Sequence, residues 1–161
     1  ASGADETEVV LPPEPGGRAR ALDGVGVTPV VNPRAVEGMG TSIAAGLAAI
    51  RRDADAAIVV MADMPEIRAA DIDRLIAAFD PTEGREIVRG TAADGRPGHP
   101  VLFGRRFFEP LAALEGDRGA RELLAEHGEF LVELPLAGEA ALTDLDTPED
   151  WESWRARATT L

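Results

Sequence analysis

The sequence predicts an α/β fold with a mostly parallel sheet, because short apolar strands alternate with amphipathic helices along most of the chain. The clearest strand is residues 56–62 (AAIVVMA), a continuous apolar run of the kind that a parallel sheet buries on both faces. The clearest helix comes next, and its apolar stripe at i, i+3, i+4 and i+7 consists of Ile72, Leu75, Ile76 and Phe79. The length of 161 residues suits one such domain, which we take to span residues 1–161.

The other elements are weaker and follow the same alternation. Short apolar segments predict further strands at residues 27–31, 86–89, 101–103 and 130–134. Helical spacing predicts further helices that begin near residues 38–42, 107 and 118, and a last one whose first turn holds Pro148. The segment before residue 25 is rich in Pro and Gly and predicts a loop.

Composition narrows the classes of function. The chain has 29 acidic and 16 basic residues, a net charge of −13, which repels nucleic-acid phosphate and anionic membranes and excludes both as expected partners. All basic residues are Arg and Cys is absent, so no lysine can hold a phosphate and no cysteine can serve as nucleophile or metal ligand. No apolar run approaches the roughly 20 residues of a membrane span and no signal core begins the chain, so we expect a cytoplasmic protein.

Asp63 is the first candidate for chemistry. It follows the most hydrophobic predicted strand, and ligands of open α/β sheets bind beyond the carboxyl ends of the strands. A carboxylate there can hold Mg²⁺ against the phosphates of a substrate. The alternative is that Asp63 only caps the following turn, a role in which Asp is common, and position alone favours the cap.

The second acidic group is residues 144–150 (DLDTPED). Glu149 and Asp150 fit the N-terminus of a helix, where acidic side chains complement the helix dipole. Asp144 is less well explained in this way, and two carboxylates at i and i+2 can direct one of them toward a metal ion. The spacing alone favours the helix N-terminus.

Three glycine-containing segments are candidates for the lining of a ligand site. Residues 37–42 (EGMGTS) form a turn into a helix, whose backbone N–H groups can bind an anion or a polar ring edge. His99 stands between Gly98 and Pro100 before a strand, which suits a side chain directed into a cleft, whereas His127 is expected to be structural. Residues 116–121 (GDRGAR) suit either an ion-paired corner or recognition of an anionic ligand.

Taken in order, these motifs resemble the MobA-like nucleotidyltransferase family, and most closely its molybdenum cofactor cytidylyltransferase branch. Five segments between about Asn32 and Arg155 carry the resemblance: NPRAVEGMGTSIAAGLAAI, AAIVVMADMPEI, GRPGHPVLF, EGDRGARELL and LTDLDTPEDW. The guanylyltransferase branch usually has Asn-x-Asn-Thr-Pro where this chain has DLDTP. The resemblance implies a Rossmann-like three-layer sandwich and Mg²⁺-dependent transfer of a nucleotide from an NTP to a phosphorylated cofactor such as molybdopterin, with release of pyrophosphate.

The resemblance also implies roles for individual residues. Asp63 and Asp146 match the two metal-binding positions of the family, with Asp144 as the second choice for the latter. The lining of the nucleotide and acceptor cleft is matched by Glu37, Gly38, Met39 and Ser42, and the acceptor-side loops by Gly98, His99, Pro100, Asp117 and Arg121. Branch resemblance favours CTP over GTP and implies a molybdoenzyme-maturation partner. Positioning and electrostatics supply most of the catalysis in such a reaction, so no protein nucleophile is needed.

The chain departs from the family pattern at its start. Family members begin with an apolar strand and a Gly-rich loop of the type L-A-A-G-x-S-x-R-M-G-x-x-K, and no such segment precedes Ala1 here. We therefore expect a domain that lacks the family's N-terminal strand and phosphate-binding loop. Two other functions stay open: a degenerate member that binds a cofactor or partner protein without turnover, and a related transferase that uses GTP, with molybdopterin or a phospholactate as acceptor.

Overall fold

The computed structural model describes residues 2–116 and 120–158, and strands alternate with helices through this part of the chain. The strands are β1 (Glu8–Leu11), β2 (Thr28–Val31), β3 (Ala56–Val59), β4 (Ile87–Thr91), β5 (Pro97–Gly104) and β6 (Leu131–Pro135). The α-helices are α1 (Gly17–Ala21), α2 (Met39–Ala49), α3 (Ala69–Ala78), α4 (Phe108–Ala112), α5 (Arg121–Glu126) and α6 (Pro148–Ala158). Short 3₁₀ turns occupy Ala35–Glu37, Pro81–Glu83, Arg105–Phe107 and Gly128–Phe130.

The strands form two sheets. Strands β1 and β2 pair in parallel, and the other four lie in the order β3-β5-β4-β6. Within this larger sheet β4 and β6 are parallel, whereas β5 is antiparallel to both of its neighbours. Strands β3, β4 and β6 therefore run in one direction and β5 in the other. The predicted α/β class with a mostly parallel, Rossmann-like sheet is confirmed in this form.

Two apolar cores cover the two faces of the larger sheet, as the alternation of side chains along a strand requires. One core contains Ile87 and Phe103 of the sheet with residues of α2, α4 and α5. The other contains the adjacent residues Val88 and Leu102, packed against Leu75 of α3 and residues 136–141. The sheet is thus the middle of three layers.

Some boundaries differ from the sequence prediction. The predicted N-terminal loop contains β1 and α1. The apolar run 56–62 is a strand only as far as Val59, because the next partner along β5 after the Val59–Val101 pair is Pro100, which has no N–H to donate. Strand β5 extends beyond the predicted residues 101–103 and includes the Gly-His-Pro segment.

The direction of the strands gathers several loops at one edge of the larger sheet. Strands β3, β4 and β6 end at this edge, and β5 begins there because it runs the opposite way. The loop that contains Asp63, the start of β5 with His99, and the segment after β6 therefore share the edge. None of the helices in residues 2–116 and 120–158 is both long and apolar enough to cross a membrane.

Candidate active site

Asp63 lies four residues beyond β3, in the loop that leads to α3. Its backbone carbonyl accepts a hydrogen bond from the Leu145 N–H at 3.0 Å. One carboxylate oxygen, Oδ1, is buried and has no hydrogen-bond partner among the described residues. Helix α3 is capped elsewhere, since the backbone N–H of its N-cap Arg68 donates to Asp71. Asp63 therefore does not cap α3.

The Gly98-His99-Pro100 segment opens β5 directly against the chain that follows β6. The His99 N–H donates to the Ala141 carbonyl at 2.9 Å. A Cβ atom on Gly98 would stand 1.9 Å from that same carbonyl oxygen, so no side chain fits at this position. The close approach of these two backbones fixes His99 at the same sheet edge as Asp63.

The His99 imidazole is mostly enclosed by protein, and its environment favours the neutral form. Burial is the main cause and lowers its pKa below the ordinary value, against smaller opposing effects of a hydrogen bond to the Val59 backbone and of the Asp63 charge. Its Nδ1 atom is buried and has no partner in the described part of the chain.

The acidic segment before α6 divides into a bound part and an exposed part. Leu145 is buried, and its carbonyl accepts the Trp151 indole N–H at 3.0 Å. Thr147 and Asp150 form reciprocal hydrogen bonds, with the Thr147 N–H donating to Asp150 at 2.9 Å and the Asp150 N–H to the Thr147 hydroxyl at 3.2 Å. This is a capping arrangement, which confirms the prediction that Asp150 lies at the N-terminus of a helix. Asp144 and Asp146, on either side of Leu145, are exposed.

These contacts bring three of the predicted segments to one place. Backbone hydrogen bonds join the Asp63 loop to Leu145 and the start of β5 to Ala141, so Asp146 follows a residue that contacts the Asp63 loop. Within residues 2–116 and 120–158, no three His, Cys, Asp or Glu side chains converge tightly enough to hold a metal ion by themselves. Any cation here needs ligands from water or substrate as well. The orphaned Asp63 oxygen is the kind of hard, anionic donor that suits a divalent cation.

The segment 37–42 leads into α2, and its polar groups are largely engaged. Arg34 holds the Glu37 carboxylate through three hydrogen bonds of 2.7–3.1 Å, which keeps the pKa of Glu37 below its ordinary value. The Gly40 N–H donates to the Gly116 carbonyl at 2.9 Å, so this N–H is not free for an anion. Gly38 has a φ of 119°, a conformation that favours glycine, and Met39 remains 43% exposed.

The contact with Gly116 places the segment 37–42 beside the beginning of the predicted Gly-Asp-Arg-Gly loop. Asp117 itself lies outside the described residues, so its predicted role is not addressed by the structure. Arg121 is exposed and is the first residue of α5. A cavity of about 270 Å³ between α2 and α4 adjoins this region, and its lining includes Arg34, Thr41 and Glu115.

Asn32 is a residue of this region that the sequence motifs did not single out as functional. It is 2% exposed, and its amide donates to the Thr41 hydroxyl at 3.0 Å and to the Ser42 hydroxyl at 3.1 Å. Its Oδ1 accepts the Arg34 N–H at 2.9 Å. Asn32 thereby fixes the loop before α2 to the first turn of that helix. An Asn-Pro pair directly after a strand was the sequence signal that could have found it.

Known proteins share this architecture. The manganese complex of Rv0371c from Mycobacterium tuberculosis H37Rv is 28% identical, with a TM-score of 0.76 over 94% of this chain and 78% of that one. A nucleotidyl transferase from Methanothermobacter thermautotrophicus (21% identity, TM-score 0.79, 98% and 75% coverage) has the same fold. So does a CMP:2-keto-3-deoxy-manno-octonic acid synthetase complexed with CTP (15% identity, TM-score 0.73, 100% and 84% coverage).

Sequence comparison identifies the family. A search of curated protein sequences finds no match. The sequence model of the MobA-like NTP transferase domain, in contrast, matches residues 1–130, which include Asp63, the Gly-His-Pro segment and the loop before α2. This match extends over most of the chain, and the chain therefore belongs to the family of MobA-like NTP transferase domains.

Proposed function

We propose that this protein is a cytoplasmic nucleotidyltransferase that depends on Mg²⁺ and transfers a nucleotide, CMP in preference to GMP, to a phosphorylated cofactor such as molybdopterin. In this reaction an acceptor phosphate oxygen bonds to the α-phosphorus of the NTP while the bond to the β-phosphate breaks, and the electron pair leaves with pyrophosphate. The observation that carries the proposal is the unpartnered carboxylate oxygen of Asp63 at the carboxyl end of β3, beside the segment that holds Asp146.

The residues of the chain have distinct tasks in this proposal. Asp63 and Asp146 hold the cation, with Asp144 as the second choice, and a bound cation neutralises charge on the NTP phosphates and orients the α-phosphate. The segment from Glu37 to Ser42 lines the nucleotide and acceptor cleft. Gly98, His99, Pro100, Asp117 and Arg121 lie on the acceptor side. The preference for CTP and the molybdoenzyme-maturation partner rest on the branch resemblance alone.

The manganese complex of Rv0371c supports a divalent cation, because that protein is similar to this chain over 94% of its length. The octonic acid synthetase, which shares the fold, was solved as a complex with CTP, and a nucleoside triphosphate is the donor that we propose for this chain. In contrast to these, a degenerate binding protein would have no need of a bare buried carboxylate at the strand end, since an unsatisfied group costs stability. We therefore place the enzyme above the binding protein.

Asp63→Asn is the decisive variant, tested in the complete protein with CTP or GTP and a molybdopterin acceptor. Loss of the anionic oxygen should reduce Mg²⁺-dependent pyrophosphate release by about 1,000-fold while the circular dichroism spectrum is retained. Asp53→Asn is the matched control, because Asp53 lies before the same strand, is exposed and pairs only with Arg51 among the described residues. Equal turnover in the Asp63 variant and the wild type would refute the metal role. Nucleotide binding without turnover in the wild type would favour the degenerate binding protein.

A further inference from the structure

Strand β4 carries two buried polar atoms that the proposed function does not use. Nε of Arg89 and Oγ1 of Thr91 are inaccessible to solvent and have no hydrogen-bond partner among the described residues. Thr91 is 1% exposed and the Arg89 side chain 20% exposed, whereas Arg34 and Arg96 are more than half exposed. Buried polar atoms are nearly always satisfied in folded proteins, and such exceptions point to a missing ligand, water or ion.

Arg89 and Thr91 share one face of β4 at its carboxyl end. They are two residues apart, and the parallel pairing with β6, in which Arg89 lies opposite Glu133, is regular over this stretch. Gly90, between them, faces the other way, since a Cβ atom on it would stand 3.2 Å from Leu136 of the core beside α3. The two side chains therefore leave the strand about 7 Å apart on the face that α5 covers.

Strand β5 is irregular beside this pair of residues. It pairs Val101 with Arg89 and Pro97 with Thr91, so residues 98–100 stand opposite a single residue of β4. Such irregularities interrupt the ladder and are frequent next to active sites. The His99 carbonyl oxygen would lie 2.7 Å from a Cβ atom on Gly90. Arg89 and Thr91 are therefore adjacent to the Gly-His-Pro segment, which the proposed function places on the acceptor side.

The donors of this pair suit an anion with several oxygen atoms. A guanidinium group presents Nε–H and Nη2–H as a fork that matches phosphate or carboxylate. In Arg89 the Glu133 carboxylate accepts from Nη2, whereas Nε–H has no acceptor among the described residues, so the fork is half occupied. The Thr91 hydroxyl can supply a further donor. Glu133 is 45% exposed and can turn to solvent when another anion takes its place.

We propose that Arg89 and Thr91 bind the phosphate group of the acceptor, and that Glu133 competes with this phosphate for the Arg89 guanidinium. The proposal rests on the proposed function, in which Asp63 and Asp146 hold a cation against the NTP. Strand β4 lies two positions from β3 in the sheet, a distance of about 10 Å. This separation suits an acceptor phosphate that is held beside the cation and the NTP.

The direct test is a titration of the ¹⁵N-labelled protein with inorganic phosphate, without nucleotide and at constant ionic strength. The Nε–H signal of Arg89, identified by its loss in Arg89→Lys, should move to higher proton frequency and saturate. The Nε–H signal of Arg96, which already donates to Asp94 at 2.7 Å, should stay in place and is the control. An Arg89 signal that does not respond to phosphate would overturn the inference.

Affinity for inorganic phosphate provides variants with opposite signs. Glu133→Gln should bind phosphate at least about three-fold more tightly because the competing carboxylate is gone, and Arg89→Lys about ten-fold more weakly because the fork is lost. Thr91→Val should weaken binding about three-fold without loss of stability, since the hydroxyl it removes has no partner, and it keeps the test open where Arg89→Lys does not fold. Arg96→Lys should bind as the wild type does. Weaker binding in Glu133→Gln would overturn the competition with Glu133.

Turnover distinguishes the two possible sources of phosphate. Thr91→Val should raise the KM for the phosphorylated acceptor about three-fold and change the KM for the NTP by less than about two-fold. A rise in the KM for the NTP alone would overturn the assignment to the acceptor. If Arg89 binds no phosphate while Asp63→Asn abolishes turnover, this inference fails and the proposed function stands. If Asp63→Asn turns over as the wild type does, the metal role fails whatever Arg89 binds.

Discussion

Two polar clusters of the molecule differ in how completely their groups are satisfied. Around Asn32, at the start of α2, every hydrogen-bonding group of the buried amide has a partner within the loop and the helix. Around Asp63 and His99, one atom of each side chain is buried and bare. A cluster whose polar groups all bond to one another needs no ligand. A bare cluster, in which buried polar atoms have no hydrogen-bond partner, reduces stability unless a ligand, water or ion binds to it. The first is therefore part of the scaffold, and the second is the place where we propose that a ligand binds.

The largest effect should come from Gly98→Ala, which tests whether backbone contact assembles the bare cluster. The added methyl group would collide with the Ala141 carbonyl at 1.9 Å, so the start of β5 and the segment after β6 must separate. We expect a loss of at least about 3 kcal/mol in the free energy of unfolding, measured with urea.

Gly26→Ala is the control for this variant, because a Cβ atom there would meet nothing within 4 Å. It should change the free energy of unfolding by less than about 1 kcal/mol. A Gly98→Ala protein as stable as the wild type would mean that the two segments are not held together at this contact.

Asn32→Ala tests the satisfied cluster. Removal of the amide leaves the Arg34 N–H without its acceptor and removes the donor to the Thr41 and Ser42 hydroxyls. The expected loss is about 2–3 kcal/mol in the free energy of unfolding, and urea denaturation should show it with and without divalent cations. Thr82→Ala, at an exposed turn, should lose less than about 1 kcal/mol. Asn32 is the only asparagine in the sequence, so no similar side chain is present to replace it.

In the absence of metal, Asp63→Asn should increase the free energy of unfolding, whereas the two preceding substitutions decrease it. With a chelator present, removal of the bare buried charge should stabilise the protein by about 0.5–1 kcal/mol. At a Mn²⁺ concentration of 100 times the dissociation constant, only the wild type gains about 2.7 kcal/mol from the bound ion, so the order of the two stabilities should reverse. Thermal unfolding with chelator and with Mn²⁺ gives both comparisons. A variant that is less stable than the wild type with chelator would show that the Asp63 carboxylate is structural.

The sequence could predict those features of the fold and the site that depend on neighbouring residues. The helical stripe of α3 and the apolar run of β3 are repetitive patterns, and Thr147-x-x-Asp150 is a short-range cap. Asp63 could be proposed from its place after a strand. These features depend on a few neighbouring residues, which is why a single sequence reveals them.

The features that could not be predicted depend on tertiary contacts. The apolar residues of β5 form the same pattern in either strand direction, so the sequence does not encode its antiparallel direction locally, and this direction places His99 at the same sheet edge as Asp63. The burial of Asn32 depends on a hydroxyl nine residues away. Pro-Gly composition predicted a loop before residue 25, yet β1 forms there because β2 offers it a parallel partner.

The smallest predicted effect concerns the acidic segment before α6, where a satisfied and an exposed carboxylate stand four residues apart. The Thr147 hydroxyl and N–H hold the pKa of Asp150 below its ordinary value. Because the folded pKa is depressed, the unfolded chain binds more protons, and the contribution of Asp150 to stability is present in full above the ordinary pKa and lost as the pH falls through the folded value. Thr147→Ala should therefore lower the free energy of unfolding at neutral pH and lower it less at acidic pH.

Thr147→Ala also distinguishes the role of the Asp150 carboxylate from that of the Asp146 carboxylate. Thr147→Ala should leave Mn²⁺ affinity nearly unchanged, because it weakens the cap at Asp150 without removing the carboxylate of Asp146. Asp146→Asn should instead weaken Mn²⁺ binding and leave the Thr147–Asp150 cap in place. Urea unfolding between about pH 3 and pH 7 and calorimetric titration of Mn²⁺ would test both expectations. The same loss of metal affinity in both variants would mean that the cap and the metal position are one unit, and that the division between satisfied and bare groups does not extend to this segment.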